Sequence, residues 1–342
     1  MIKMNQRTPY ISIIIPVYRE LDYIEDCLDS VLGLNYPKDR YVIIAVLDKN
    51  HDIDMDYKLK KYRTKSLKNR LKIYKSHKRG SAANRNFGVS KADKKSTYFA
   101  FTDADCVADK NWLKTLVERM KDAEKTVLRI GCIGGINLTP ENSNKFSKLT
   151  GEIENTLLGG GGSSQSTLTE KERSVPSIPN CNALYKKEVW LRDKQDESLI
   201  IGQDGEFNHR LWKKGFKFLA IPDAKVWHRR PDSLPKYLRK MFRYGKATML
   251  IFGKHREMLR IRWYSFSLLF MMIAALLLVM LSFIKMMFLN ILLALIGIYF
   301  MMLLITSVKI FFRMGKAYAF YAFFVILMQH ISYGLGMLLW WV

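Results

Sequence analysis

The feature that most constrains the fold is a series of long segments without a charged residue near the end of the chain. Trp263–Ile284 and Met286–Val308 contain no Lys, Arg, Asp or Glu and are separated only by Lys285. Ala317–Val342 also carries no formal charge, with His330 counted as neutral. A helix of about 20 apolar residues spans the hydrocarbon core of a bilayer, and each segment is at least this long. The sequence therefore predicts three transmembrane helices.

The charges around these segments predict their orientation. The first ten residues are mostly polar, and the apolar run Ile11–Val17 is too short for the core of a secretory signal. The loop between the second and third segments carries Lys309, Arg313 and Lys316, and loops rich in Lys and Arg stay on the cytoplasmic side. We therefore expect a multi-pass protein of the cell membrane whose N-terminal domain is cytoplasmic.

A strongly basic segment precedes the first predicted span. Between Lys225 and Arg262 the chain has twelve Lys or Arg and two acidic residues. Apolar residues recur there at three- and four-residue steps: Leu234, Tyr237, Leu238, Met241 and Phe242. This pattern is typical of a helix that lies in the bilayer interface, with its basic side toward anionic lipid headgroups. A basic helix face in solvent is the alternative.

The net charge of +24 does not by itself indicate nucleic-acid binding. A second basic run, Lys58–Arg79, has eleven positive and no negative residues. It contains few of the aromatic side chains that stack on bases. We therefore expect a solvated helix face there and no nucleic-acid partner.

The N-terminal part of the chain alternates between short apolar runs and helical patterns. The predicted strands are Ile11–Ile15, which Pro16 should end, Tyr41–Leu47, Leu71–Tyr74 and Tyr98–Thr102, and the predicted helices between them are Leu21–Leu32 and Ala82–Ser90. Such alternation predicts an α/β domain with a mainly parallel sheet covered on both faces. Ligands bind such sheets at the carboxyl ends of the strands.

Carboxylates follow one of these strands directly. Asp103 and Asp105 flank Ala104 after the strand Tyr98–Thr102. Carboxylate oxygens suit Mg²⁺ or Mn²⁺, which can neutralise a departing diphosphate. A DxD motif alone is a weak signal, and its position at a strand end strengthens it.

Several other site classes are excluded. No GxGxxG follows the first strand and no GxxxxGK[ST] occurs, so a dinucleotide enzyme or a P-loop ATPase is not expected. The four cysteines have neither CxxC nor paired-His spacing, which excludes a zinc ribbon and a disulfide scaffold.

Two further residues are candidates for chemistry. Asp204 lies just before the predicted helix Glu206–Trp212 and could remove a proton from an acceptor hydroxyl, or could simply cap that helix. His228 ends the strand-like stretch Lys217–Trp227 and could bind a metal through a ring nitrogen, or could be structural.

Five motifs taken together resemble the family-2 glycosyltransferases. They are ISIIIPVYRE at Ile11–Glu20, GSAANRNFG at Gly80–Gly88, TDADC at Thr102–Cys106, GQD at Gly202–Asp204, and Trp227–His228. The resemblance covers roughly residues 10–250 and is nearest to membrane-bound exopolysaccharide glucosyltransferases of the succinoglycan type. It implies a GT-A fold, which is Rossmann-like, and a donor that is a nucleotide-diphosphate sugar.

The resemblance also implies a role for each matching residue. Nucleotide-sugar binding falls to Pro16, Tyr18, Glu20, Asp48, Arg85, Asp103 and Arg243, metal binding to Asp105 and His228, catalysis as general base to Asp204, and the acceptor side to Asn180, Asn182 and Gln203.

The sequence departs from the family pattern at two places. Gln203 replaces the Glu that usually precedes the catalytic Asp. Lys240-Met-Phe-Arg243-Tyr244 stands where processive and lipid-modifying members have Gln/Arg-x-x-Arg-Trp, which argues against a processive synthase. Arg243 could bind the diphosphate or touch lipid headgroups. The glycine tract Gly159–Gly162 is either a mobile loop near the acceptor or a slack connection.

The sequence thus predicts three regions: a cytoplasmic GT-A catalytic domain at 1–230, a basic amphipathic interface segment at 231–262, and three transmembrane helices at 263–342. The predicted reaction is inverting transfer, with Mg²⁺ or Mn²⁺, from a nucleotide-diphosphate sugar to a hydroxyl of a lipid-linked acceptor. The alternatives are a polyprenyl-phosphate sugar synthase and a catalytically silent, membrane-anchored nucleotide-sugar binder.

Overall fold

The structure, a computed structural model, describes residues 8–64, 67, 69–161, 170–258 and 275–341. The chain divides into two compact units. The α/β unit comprises Met1–Pro140 and Ser164–Arg229, and the helical unit comprises Glu141–Ser163 and Arg230–Val342.

Within the described residues, all strands belong to the α/β unit. They are β1 Ile11–Val17, β2 Tyr41–Leu47, β3 Leu71–Lys75, β4 Tyr98–Thr102, β5 Cys106–Ala108, β6 Ile130–Leu138, β7 Arg173–Val175, β8 Asn182–Lys186 and β9 Lys217–His228.

The helices are shared between the units. They are α1 Ile24–Leu32, α2 Asp54–Lys58 with the 3₁₀ turn Leu59–Tyr62, α3 Ser81–Ser90, α4 Trp112–Thr126, α5 Lys145–Glu154, α6 Leu157–Gly160, α7 Lys187–Trp190, α8 Gln203–Lys213, α9 Leu234–Lys254, α10 Met286–Met314 and α11 Lys316–Leu338. Helices α5, α6 and α9 to α11 belong to the helical unit.

The strands form one sheet in the order β3-β2-β1-β4-β8-β6-β9-β5, with β7 also paired to β9. The first four strands run parallel, as do β6 and β9. Strand β8 is antiparallel to β4 and β6, and β5 and β7 are antiparallel to β9. The α/β prediction is therefore confirmed, with a sheet that is mixed rather than mainly parallel. The antiparallel pairings join segments far apart in sequence, which a local pattern does not reveal.

Both faces of the sheet are covered. Every residue of β1 and β2 is buried, and successive side chains of a strand point to opposite faces. Ile13 and Ile15 accordingly pack in one apolar cluster and Ile14 in another. This explains why these strands read as continuous apolar runs.

Strand β1 does not end at Pro16, contrary to the sequence prediction. It continues to Val17, and Pro16 lies opposite Val46 of β2. The pairing of β1 with β4 stops at Ile14, so β1 has a single neighbour at Pro16. A residue without an N–H group is tolerated at such a one-sided position.

Two helices of the helical unit are long and apolar enough to cross a membrane. Among the described residues these are Met286–Met314 and Lys316–Leu338, and they overlap the second and third predicted spans. Of the first predicted span, residues 263–274 lie outside the described part of the chain, and residues 275–282 are helical.

Helix α9 covers most of the predicted interface segment, but its apolar side packs on protein. Tyr237 and Met241 are buried in one cluster with Tyr333 and Met337 of α11. Tyr237 and Met241 therefore face protein, and the placement of this helix in the bilayer interface stays a prediction. Periodicity identifies an apolar helix face without identifying what covers it.

Candidate functional site

The end of β2 is tied to the start of α3 through Asp48. This buried carboxylate accepts hydrogen bonds from the backbone N–H of Gly80 at 2.6 Å and from Asn84 Nδ2 at 2.9 Å. The N–H of Asn50 donates to its other oxygen at 2.9 Å. Asp48 therefore fixes the first turn of α3, the helix that carries Arg85.

The turn after β1 is built around Glu20. Its Oε2 accepts the N–H of Tyr18 at 2.6 Å and that of Arg19 at 3.0 Å. Burial raises the pKa of Glu20 to about 7, aided by the nearby Asp105, although the hydrogen bond from Tyr18 acts in the opposite direction. Pro16 lies near the end of β1, and Tyr18, which follows the strand, is half-buried.

Arg85 pairs with the first carboxylate of the DxD motif. Its Nη2 donates to Asp103 Oδ1 at 2.6 Å, and the Arg85 side chain is only 5% exposed. Burial lowers the pKa of Arg85, but the carboxylates of Asp103 and then Asp204 outweigh burial and raise it. Asp204 therefore lies in the same electrostatic neighbourhood as the first DxD carboxylate.

The N-terminus of α8 is held close to that of α3. Gln203 Nε2 donates to Ser81 Oγ at 2.5 Å. The N-cap of α8 is Gly202, in the left-handed region at φ 79° and with no side-chain cap bond. Asp204 accepts the N–H of its neighbour Gly205 at 2.9 Å and remains partly exposed. It is thus a first-turn residue and not the capping residue.

The second DxD carboxylate meets His228. Asp105 Oδ1 lies 3.4 Å from His228 Nε2, because β5 follows the DxD and pairs with the end of β9, setting Cys106 opposite His228. Burial lowers the pKa of His228, but Asp105 outweighs burial and raises it well above its ordinary value. A carboxylate and an imidazole facing each other are a donor pair that fits a divalent cation.

Two of the predicted acceptor-side residues, Asn180 and Asn182, differ in their surroundings. Asn182 is fully buried; its Nδ2 donates to the carbonyls of Ile136 and Ala224, and its Oδ1 accepts from Trp112 Nε1. Asn182 thus ties strands together within the sheet. Asn180 is equally buried, and neither atom of its side-chain amide has a hydrogen-bond partner among the described residues.

Arg243 is exposed on α9 of the helical unit. Its assignment to the diphosphate stays a prediction.

Sequence reasoning missed Asn84, Ser81 and Cys106. Asn84 and Ser81 stand inside the motif GSAANRNFG and Cys106 inside TDADC. The signal was therefore present in the motifs, but only the fold shows that Asn84 bonds Asp48, that Ser81 bonds Gln203 and that Cys106 lies opposite His228.

Comparison with known proteins adds a family match. The model described as Glycosyl transferase family 2 matches residues 12–190. The dolichyl N-acetyl-alpha-D-glucosaminyl phosphate 3-beta-D-2,3-diacetamido-2,3-dideoxy-beta-D-glucuronosyltransferase of Methanococcus voltae is 28% identical, over 81% of this chain and 84% of its own length. Glycosyltransferase AglE of Haloferax volcanii is 26% identical, over 75% of this chain and 79% of its own length.

A solved structure has a similar fold. The mannosyltransferase PcManGT from Pyrobaculum calidifontis, in complex with GDP-Man and Mn²⁺, aligns with a TM-score of 0.55 at 17% identity. The alignment covers 74% of this chain and 65% of that chain, just under two thirds of its length.

Proposed function

The chain belongs to glycosyl transferase family 2, and from that premise we propose that it is an inverting, membrane-bound enzyme. It moves a sugar from a nucleotide-diphosphate donor to a hydroxyl of a lipid-linked acceptor. The α/β unit has the GT-A fold, and two candidate membrane helices accompany it. The catalytic domain faces the cytoplasm.

One observation carries this proposal: the buried Arg85 bonds Asp103 and also lies in the field of Asp204. A donor diphosphate brings negative charge, whereas a general base must itself be negative to accept a proton. A buried guanidinium that bonds Asp103 and is attracted by Asp204 stabilises negative charge near both carboxylates. This arrangement supports donor binding and proton abstraction at neighbouring positions.

The residues then divide the reaction between them. Asp204 accepts the proton of the acceptor hydroxyl, whose oxygen forms a bond to the anomeric carbon as the bond to the leaving diphosphate breaks. Arg85 holds Asp103 toward the donor. Pro16, Tyr18, Glu20 and the turn fixed by Asp48 form the nucleotide side, as the family resemblance implies.

Asp105 and His228 are the residues that would hold Mg²⁺ or Mn²⁺. Bound there, the cation supplies positive charge to the leaving diphosphate. The donor set fits this role. The mannosyltransferase with the similar fold was solved with Mn²⁺ and a nucleotide sugar.

The acceptor is proposed to be a sugar carried on a polyprenyl phosphate or a related lipid. The name of the Methanococcus voltae relative specifies a dolichyl phosphate-linked amino sugar. The unpartnered amide of the buried Asn180 supports a polar contact with the acceptor. Exposed basic residues of α9 face anionic headgroups in this proposal: Lys236, Arg239 and Arg243.

The test is sugar transfer by the purified full chain. Radiolabelled nucleotide-sugars are offered with membrane lipids, with and without Mn²⁺, and label is measured in the organic phase. D204N should lower transfer by about 10²–10⁴-fold, the usual contribution of a general base. D122N, which alters an exposed aspartate of α4, should leave transfer unchanged.

The alternatives predict other outcomes. A polyprenyl-phosphate acceptor is already anionic and needs no deprotonation, so full activity of D204N with that acceptor would favour the sugar-phosphate synthase. Donor binding by the unaltered chain without transfer to any lipid would favour a silent binder.

A further inference from the structure

The proposed metal site contains a thiol that the mechanism does not use. Cys106 lies opposite His228 in the antiparallel pairing of β5 and β9, and directly opposed residues project from the same face of a sheet. Cys106 Sγ lies 3.8 Å from Asp105 Oδ1, the oxygen that is 3.4 Å from His228 Nε2. The ligand atoms of these three residues all lie within 4.8 Å of one another.

A carboxylate, an imidazole and a thiol are the donors that zinc prefers. Zn²⁺ binds thiolate, imidazole and carboxylate in small tetrahedral sites, often with three protein ligands and one open position. Mg²⁺ and Mn²⁺ prefer oxygen and gain little from sulfur. The thiol of this group should therefore strengthen the binding of Zn²⁺ and contribute little to the binding of Mg²⁺ or Mn²⁺.

A second thiol adjoins this group. Cys181 is buried, and Asn137 Nδ2 donates to its Sγ at 3.1 Å. Cys181 also interacts with the His228 side chain. Cys106 and Cys181 thus both lie near His228, although they are 75 positions apart in the sequence.

We propose that Asp105, Cys106 and His228 form a Zn²⁺ site that overlaps the site for Mg²⁺ or Mn²⁺, and that Zn²⁺ bound there blocks sugar transfer. The Cys106 thiol loses its proton to solvent as the Zn–S bond forms. The zinc site itself follows from the three side chains, and only the block of transfer rests on the proposed function. The simpler role for Cys106, a small buried core residue, predicts no effect of its thiol on metal binding.

The experiment measures metal binding directly. Zn²⁺ affinity of the purified full chain is obtained by competition with a chromogenic chelator, and Cd²⁺ serves as a spectroscopic probe through its thiolate charge-transfer absorption. C106A and C106S should lose this absorption and bind Zn²⁺ about 10–100-fold more weakly. Their Mn²⁺ affinity, measured by electron paramagnetic resonance, should change by less than about threefold, because manganese gains little from sulfur.

Cys132 provides the matched control. It is a fully buried cysteine of β6 that packs in a different apolar cluster. C132A should therefore leave Zn²⁺ affinity and the Cd²⁺ absorption unchanged. Retained Mn²⁺ binding by C106A or C106S establishes that the site is folded.

The inference is overturned when C106A and C106S keep the Zn²⁺ affinity and the Cd²⁺ absorption of the unaltered chain. It is also overturned when their sugar transfer is as sensitive to Zn²⁺ as before. The binding assays need no transfer, so a chain without transferase activity would refute the proposed function and leave the zinc site standing.

Discussion

The two units bury their polar side chains in different ways. At the sheet edge of the α/β unit the buried polar groups include charges, such as Arg85 on Asp103 and Asp48 with its three donors. Along α11 of the helical unit they are neutral. Gln329 Nε2 donates to the carbonyl of Gly159, and His330 Nε2 lies 2.8 Å from that of Leu158.

This difference follows from what each unit must surround. A site for a charged ligand needs fixed opposite charges that are held before the ligand arrives. A helix that crosses a bilayer instead needs every polar group satisfied internally, and charges there are costly. Ion pairs of the helical unit are found outside α11, where Arg230 and Lys240 both contact Glu154.

Among the changes that compare the two units, weakening the charge pair of the α/β unit should have the largest effect. R85K keeps the positive charge but loses the planar guanidinium that bonds Asp103 at 2.6 Å. A hydrogen bond between charged groups contributes about 1.5–3 kcal/mol, so donor affinity should fall about 10–100-fold. Titration with the nucleotide-sugar by calorimetry measures this.

A double-mutant cycle sharpens the result. R85K, D103N and the double variant should show a coupling between the two sites in donor affinity, since the residues are in contact. If the losses of donor affinity in the single variants simply add up in the double variant, Arg85 and Asp103 do not act as a unit. The proposed contrast between charged polar groups in the α/β unit and neutral ones in the helical unit would then have no energetic basis.

The helical unit offers a backbone test of similar design. Gly245 of α9 lies so close to α11 that an added Cβ would overlap the carbonyl oxygen of Tyr333, whereas Gly253 of the same helix has open space. G245A should therefore destabilise the protein by about 1–3 kcal/mol through overpacking. G253A should be neutral, or stabilise by up to about 1 kcal/mol because alanine favours helix.

Unfolding in mixed micelles, followed by circular dichroism, compares the two variants. Equal stability of G245A and G253A would show that α9 and α11 are not packed through small residues.

The sequence predicted the helices and strands that carry motifs better than the contacts between them. Strands Tyr41–Leu47 and Tyr98–Thr102 have the predicted bounds, because buried strands leave continuous apolar runs. The meeting of Asp105 with His228 depends on the antiparallel pairing of β5 with β9, across more than 100 residues. No local pattern encodes such a pairing, and only the family resemblance placed the two residues together.

For a related reason, the sequence did not predict that α11 packs against the apolar side of α9. Its apolar spacing is the same whether a bilayer or another helix lies against it. Gly245 and Gly336 allow α9 and α11 to approach each other closely. In the sequence they are isolated small residues, and their role becomes visible only in the packing of the two helices.

Glu20 of the α/β unit is expected to make the stability of the protein depend on pH. The pKa of Glu20 rises from 4.5 to about 7 through burial, so between these values the folded state binds the proton more tightly than the unfolded state. Stability should therefore fall as pH rises across this window. Glu20 is partly exposed, and after solvent screening the loss is about 1 kcal/mol.

E20Q provides the comparison, because glutamine stays neutral and can still accept the N–H groups of Tyr18 and Arg19. Its advantage over the unaltered chain should grow between pH 4.5 and 7 and then level off. Urea unfolding at several pH values measures it, and a difference that does not vary with pH would rule out ionisation of Glu20 as the cause.

The smallest effect should come from a neutral hydrogen bond of the helical unit. Gln329 is 3% exposed and joins Tyr237 Oη, at 2.7 Å, to the carbonyl of Gly159, at 2.8 Å. Hydrogen bonds between membrane helices contribute on average about 0.6 kcal/mol each, because the unfolded helices find other partners. Q329L should therefore destabilise the protein by about 1 kcal/mol in mixed micelles, and M328L, which alters a neighbouring side chain that is 41% exposed, by much less. A loss above about 3 kcal/mol for Q329L would match the removal of one partner from a buried ion pair. The buried polar groups of the two units would then differ in charge but contribute similarly to the free energy of unfolding.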